Sequence, residues 1–262
     1  MNQALILQHD ELYPAQRLVS LLRDFGIPCD VRRLHAGDAV PRDLDEVRMA
    51  FLLGGAMRVG ELDSTKHPWQ ADVSTLARTF VERDRAIVGI GLGAELLSQA
   101  AGAKVSENRK PGPAPDQPGE PAPEFGWVPI SFPFPGGTEP TVFGMVDGTP
   151  FFTWHRDTFQ LPALPPPANP PPPPARPPTG NVLMASSRAC RHQAYRFKNR
   201  VFGFQFHFEL DSESIARIID SRAKQEGINP APIRADLSKH QARYERVGTK
   251  LVQNLVQFMK VY

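Results

Sequence analysis

Of the chain's 28 prolines, six fall in residues 110–124 (KPGPAPDQPGEPAPE) and eleven in 162–178 (PALPPPANPPPPPARPP). Proline fixes φ and has no N–H to donate, so neither stretch can be a helix or an interior strand. Both are expected as surface excursions, polyproline-II-like or disordered. The chain is then read as a single domain over 1–262 with two Pro-rich insertions. The second insertion has PxxP spacings of the kind SH3-type modules bind, which makes these loops a candidate contact surface for a protein partner. The simpler reading is an inserted loop with none.

Without the insertions, the chain alternates between short apolar runs and amphipathic segments. Residues 4–8 (ALILQ), 29–34, 49–53 (MAFLL) and 86–90 (AIVGI) read as strands, and 13–25, 70–83 and 94–101 as helices. The second half adds strands at 128–132, 182–186, 193–197 and 201–206, with helices at 212–224 and 249–259. The Arg/Lys-rich stretch 234–250 reads as a helical, solvated face of mixed charge. Strands that are apolar on both faces and alternate with helices imply an α/β fold, a mostly parallel sheet flanked by helices. In such sheets, ligands bind beyond the carboxyl ends of the strands. The turns after residues 53, 90 and 206 are therefore where chemistry is expected.

Composition narrows the function. Lys and Arg total 30 and Asp and Glu 28, a net charge of +2, which argues against a general polyanion binder such as a nucleic-acid-binding protein, since that would need a basic face. No run reaches the ~18 apolar residues of a membrane span, and the start has no basic n-region of a signal peptide. With only Cys29 and Cys190, no disulfide framework is possible, and two reduced thiols in a cytoplasmic protein are expected.

Two features stand at the strand ends. Gly89-Ile90-Gly91-Leu92-Gly93 is a tight strand-to-helix turn of the type that holds a nucleophile at its centre, but the central residue is Gly91. Alone, this turn could also cradle a phosphate. His207 and Glu209 follow the strand at 201–206. If that strand runs on through them, they share one face, and the carboxylate can orient the imidazole. A structural His–Glu pair is the plain alternative.

These pieces, with Gly54-Gly55, GIGLGAELLSQAAGAKV (89–105), FGWVPI (125–130), WHRDTFQLP (154–162), ACRHQAYRF (189–197) and GFQFHFE (203–209), resemble the class I glutamine amidotransferases in order and context. The resemblance is nearest to the stand-alone GMP-synthase-like branch and covers nearly the whole chain outside the insertions. It implies a flavodoxin-like sheet and a Cys–His–Glu triad that hydrolyses glutamine to glutamate and ammonia through a thioester, with no cofactor and no metal. Carried over by position, His207 is the base and Glu209 its orienting carboxylate. The backbone N–H groups of Gly55 and Leu92 form the oxyanion hole. Glu95 stands at the pocket, and His155, with Asp157 in the WHRDTF stretch, is either structural or pocket-lining.

The family's elbow reads G-x-C-x-G, and this chain has Gly91 in the cysteine's place. Glu95 stands where the branch usually has Gln, Phe208 replaces the proline of H-P-E, and Ala56 replaces the proline of G-G-P. Cys29, at the start of an early strand, and Cys190, read as structural, do not substitute. The resemblance therefore implies an amidotransferase-like pseudoenzyme without glutaminase activity, which binds a glutamine-like small molecule or scaffolds a partner. Two alternatives stand beside it. One is a hydrolase in which His207 and Glu209 activate water on another substrate, and the other is an amidotransferase completed by a second subunit. His155, His207 and Glu209 lack the spacing of a metal site.

Overall fold

Strands with no polar face have to be covered on both sides, and the molecule places them accordingly. A computed structural model describes residues 3–112, 117–161 and 180–259, so the insertion at 162–178 lies outside the described residues. The first half carries β1 (Gln3–Gln8), α1 (Gln16–Asp24), β2 (Cys29–Arg33), β3 (Val47–Leu52), α2 (Gln70–Glu82), β4 (Ala86–Ile90) and α3 (Leu92–Ala100). Then come β5 (Val105–Glu107), β6 (Glu124–Ile130), β7 (Thr149–His155), β8 (Asp157–Phe159), β9 (Val182–Ala185), β10 (Ala194–Phe197) and β11 (Val201–Phe204). Helices α4 (Ser212–Gln225) and α5 (Pro230–Met259) close the chain.

Seven strands form one sheet in the order β2-β1-β3-β4-β11-β10-β9. The first five are parallel, and β10 and β9 continue the sheet antiparallel. The α/β reading and its mostly parallel sheet therefore hold. Register sets the two faces. Val31, Ile6, Phe51, Val88 and Phe202 are successive cross-strand partners, so they form one row across the sheet. That row packs with Leu18 and Leu22 of α1, Ile215 of α4 and Leu251 of α5. The residues between them, such as Leu7, Leu52 and Ile87, point to the other face, against Val73 and Phe80 of α2 and Leu97 of α3. Phe51 and Phe80 are fully buried, and truncating either to Ala would cost about 3–5 kcal/mol.

Besides β5 and β8, which pair with each other and have no counterpart in the sequence reading, the structure departs from it in four places. The strand expected at 128–132 starts at Glu124 and pairs with β7, which has no counterpart in that reading. Pro129 is tolerated because β6 pairs on one side only. The first Pro-rich stretch is not a free excursion, because Arg109 bridges Pro121 and the Lys110 N–H donates to Glu120 O at 2.9 Å. Finally, 234–250 is not a separate solvated helix but part of the continuous α5, with Tyr244 and Gly248 buried. A Cβ at Gly248 would sit 2.5 Å from Phe208 O, so the glycine lets the helix close on the turn that carries His207. Fourth, β11 ends at Phe204 rather than at residue 206. Among the described residues, no helix is long and apolar enough to cross a membrane.

Candidate active site

The elbow between β4 and α3 is shaped by what its glycines lack. A Cβ on Gly89 would lie 2.4 Å from Gly93 O, and one on Gly93 would lie 1.9 Å from Leu52 O. Side chains at either position would force strand and helix apart. Between them, Gly91 takes φ +55° and ψ −121°, a conformation that costs an ordinary residue about 1–3 kcal/mol. Its N–H donates to Phe204 O at 2.8 Å, and its carbonyl accepts from the Ala94 and Glu95 N–H groups at 2.9 and 3.2 Å. A Cβ built on Gly91 points at the His207 ring, 3.0 Å from Cε1 and 3.2 Å from Nε2.

His207 and Glu209 meet without the strand alternation expected of them. The chain turns after Phe204, and the His207 N–H donates to Phe152 O of β7 at 2.8 Å, which fixes the residue from outside the main sheet. His207 Nδ1 then donates to Glu209 Oε1 at 2.8 Å, and the Phe208 N–H donates to Glu209 Oε2 at 2.9 Å. Both side chains are buried. Arg17 of α1 fastens this turn to α5 by donating to the carbonyls of Phe208 and, at 2.8 Å, Glu245. The Nε2 of His207 faces Gly91 with no hydrogen-bond partner among the described residues.

The Gly54–Gly55 loop is held from β1. Asp10 accepts from the Ala56 N–H (2.8 Å) with one oxygen and from the Leu12 N–H (2.8 Å) with the other. His9 Nδ1 donates to Leu53 O at 2.9 Å. Burial holds the His9 pKa down at about 4, so the ring is a neutral donor. Neither residue is singled out by the sequence reading. The available signal is two polar residues immediately after the first apolar strand, where the sheet rule places ligand contacts.

Gly55, Leu92, Gly91, His207, Glu95 and His155 all line one cavity of about 40 Å³, room for a few waters. Ion pairs close it over: Arg58 Nε donates to Asp157 at 2.9 Å, Arg156 Nε to Glu226 at 2.7 Å, and Arg222 to Glu226 at 3.0 Å. Glu95 lies one helical turn past Gly91, and its side chain leans back over the elbow. It is buried and accepts from Gln205 Nε2 at 2.9 Å. Burial pushes its pKa up to about 7, against the opposing pull of the Gln205 hydrogen bond. Tyr13 Oη, Trp154 Nε1 and Gln205 Oε1, all on lining residues, are buried without partners among the described residues.

His155 is different. Its Nδ1 donates to Asp157 O (2.8 Å), and its Nε2 meets Glu124 Oε2 (3.1 Å). Glu124 also accepts from Ser187 Oγ (2.7 Å) and Gln193 Nε2 (2.5 Å). Glu124, His155 and Cys190 bring ligating atoms within 4.8 Å of one another. The carboxylate is already taken by three donors, however, and burial pushes the Cys190 thiol up to about 11. The cluster is therefore hydrogen-bonded core rather than a waiting metal site. Cys190 and Cys29 both lie outside the cavity lining, and Cys29 begins β2 at the opposite end of the sheet.

Known proteins repeat this architecture. The family model "Glutamine amidotransferase class-I" matches residues 13–221. The glutamine amidotransferase-like protein YfeJ of Salmonella typhimurium is 25% identical over 213 residues, 80% of this chain and 77% of that protein. A glutamine amidotransferase structure from Methylobacillus flagellatus superposes with TM-score 0.77 at 23% identity, covering 98% of this chain and 95% of that one. One from Thermotoga maritima gives 0.76 at 20% identity and covers 98% of both. With the parallel sheet, the glycine elbow and the buried His–Glu pair at its strand ends, the chain belongs to the class I glutamine amidotransferase family.

Proposed function

We propose that this chain does not hydrolyse glutamine through a thioester and acts instead by binding, as an amidotransferase-like pseudoenzyme of the stand-alone, GMP-synthase-like branch. The observation that carries this reading is the direction of the Gly91 Cα–H bond that stands where another residue's Cα–Cβ bond would be. It aims at His207 Nε2, where the family's attacking sulfur would need its base, and it ends in hydrogen. Neither cysteine of the chain lines the cavity. In serine hydrolases, loss of the nucleophile costs about 10⁶ in kcat, and the remaining groups supply about 10³–10⁴ over water. For a stable amide that is no working turnover.

Binding is supported by the unpartnered atoms of Tyr13, Trp154 and Gln205 around the cavity. Buried polar groups without partners are costly, and a glutamine-like molecule carries the acceptors and donors to satisfy them. The outer arms Arg58 and Arg156, with side chains 36% and 40% exposed, are the groups that can swing aside to admit it. The Pro-rich loops are the contact surface we propose for a protein partner. A second reading rests on the open Nε2 of His207, which can take a proton from a water in the cavity and so act on a more electrophilic substrate.

The test is ammonia release from glutamine by the wild-type chain and by Gly91→Cys. The wild type is expected to be silent. The variant is expected to release ammonia, or at least to be alkylated at position 91 by diazo-oxo-norleucine, the sulfur bonding to the diazo carbon as N₂ leaves. Ordinary glutaminase turnover by the wild type overturns the proposal.

A further inference from the structure

A second cleft, of about 560 Å³, opens on the far side of the Glu124 cluster, between the turn 186–192 and the segment 106–111. It shares no lining residue with the elbow cavity; Thr158, next in sequence to Asp157, lines only the second. The turn is rigid from beneath. Ser187 and Cys190 close it, with Ser187 N–H to Cys190 O at 2.8 Å and Cys190 N–H to Ser187 Oγ at 3.0 Å. Ser186 exchanges both backbone hydrogen bonds with Ser131, at 2.8 and 2.9 Å. The buried Asn108 side chain donates to Ala189 O at 3.0 Å and to Ala122 O at 2.6 Å. Ser187 Oγ is fixed again by Glu124.

From this braced backbone, Arg188 and Arg191 line the cleft, and neither guanidinium has a hydrogen-bond or ion-pair partner among the described residues. Arg109, on the facing segment, is held by Glu107 at 2.5 Å and donates to Gly119 O at 3.0 Å. The cleft thus presents three guanidiniums against the one carboxylate of Glu107, a surplus of two positive charges. That surplus equals the net charge of the entire chain, +2, so it is a local concentration rather than a share of a basic surface. Ser106 and Thr158 stand in the walls, the Thr158 hydroxyl 3.3 Å from Cys190 Sγ. Forked guanidinium donors beside hydroxyls suit the tetrahedral oxygens of a phosphate, and the volume falls in the range of small-molecule sites. A recess favours a compact ligand over an extended acidic segment, which would lie along a surface.

We infer that this cleft is a binding site for a small, multiply charged phosphate compound, held by Arg188 and Arg191 and separate from the elbow cavity. Inorganic pyrophosphate is the probe. Titrated calorimetrically into the full chain at constant ionic strength, it is expected to give one saturable event. The double variant Arg188→Ala/Arg191→Ala is expected to weaken it at least tenfold with an unchanged melting curve, because both side chains are exposed. Arg222→Ala, in the elbow cavity, should leave the isotherm unchanged. No saturation at millimolar pyrophosphate, or equal binding by the double variant, overturns the inference. So does tighter binding of a glutamate-rich peptide of matched charge, which would assign the cleft to a protein partner.

Discussion

Among the described residues there are two buried histidine–glutamate pairs, His207–Glu209 at 2.8 Å and His155–Glu124 at 3.1 Å, and they do opposite things. In the second pair every group is engaged: both ring nitrogens of His155 have partners, and Glu124 collects three side-chain donors. In the first, one ring nitrogen is fixed and the other is open toward Gly91. Distance and burial therefore do not separate a chemical pair from a structural one. What separates them is whether an orienting bond leaves the opposite nitrogen free to move a proton.

The largest effect expected from this difference is kinetic. In a Gly91→Cys background, the thiol introduced beside His207 should react rapidly with iodoacetamide at neutral pH. Adding His207→Ala should slow that labelling by about 10²-fold or more, the scale of a lost general base. Adding His155→Gln should leave the labelling rate of the folded protein unchanged. Equal slowing by both variants would erase the distinction between the pairs.

Next in size is stability. Removing one member of a buried charged network costs about 3–5 kcal/mol. Glu124→Ala removes an acceptor from His155, Ser187 and Gln193, the last two keeping second partners at 3.2 Å, whereas Glu209→Ala removes one from His207 Nδ1 and the Phe208 N–H. Urea denaturation should therefore show Glu124→Ala as the more damaging, by about 1 kcal/mol for the additional donor. The reverse order would make the His207 pair the structural one.

The two pairs also differ in how much of each the sequence displays. His207 and Glu209 are two residues apart, so the motif is visible, although the turn that joins them is not the strand their spacing suggests. Glu124 and His155 are 31 residues apart and meet only because β6 and β7 pair with Glu124 opposite His155. Nothing local announces β7, whose run TPFFTWH mixes a proline and polar residues with its aromatics. The runs ALILQ, MAFLL and AIVGI are plain because a central parallel strand has no polar face. The charged stretch before residue 250 hides Tyr244 and Gly248, whose burial depends on Phe208 and Arg17, far away in the chain. His9 and Asp10 act through backbone groups of the Gly54 loop, a contact that composition does not carry.

A third prediction concerns the open region alone. Burial raises the Glu95 pKa from 4.5 to about 7. The folded state then holds a proton that the unfolded chain has released, so stability falls as pH rises between those values, by up to about 3 kcal/mol. Glu95→Gln removes that loss. The variant should be about 2–3 kcal/mol more stable than the wild type above pH 7, and the two should converge near pH 4.5. Urea midpoints at both pH values check this, and a gain independent of pH would show that the carboxyl is not raised.

The smallest effects compare two buried tyrosines. Tyr195 Oη donates to Ala94 O at 3.1 Å, whereas Tyr13 Oη, against the His207 ring at a centroid distance of 5.2 Å, has no partner. Tyr195→Phe gives up a satisfied hydrogen bond and should cost about 1 kcal/mol. Tyr13→Phe removes a hydroxyl that gains nothing in the folded state, so stability should be unchanged or higher by up to about 1 kcal/mol. Thermal melts of the ligand-free variants measure both. If Tyr13→Phe costs as much as Tyr195→Phe, the hydroxyl is satisfied within the cavity by ordered water. A ligand would then have to displace that water, and the unpartnered rim would stop counting toward binding. If instead Tyr13→Phe leaves the fold untouched but weakens whatever small molecule the cavity admits, the hydroxyl is held in reserve for that molecule, which is the property that sets this region apart from the saturated cluster around Glu124.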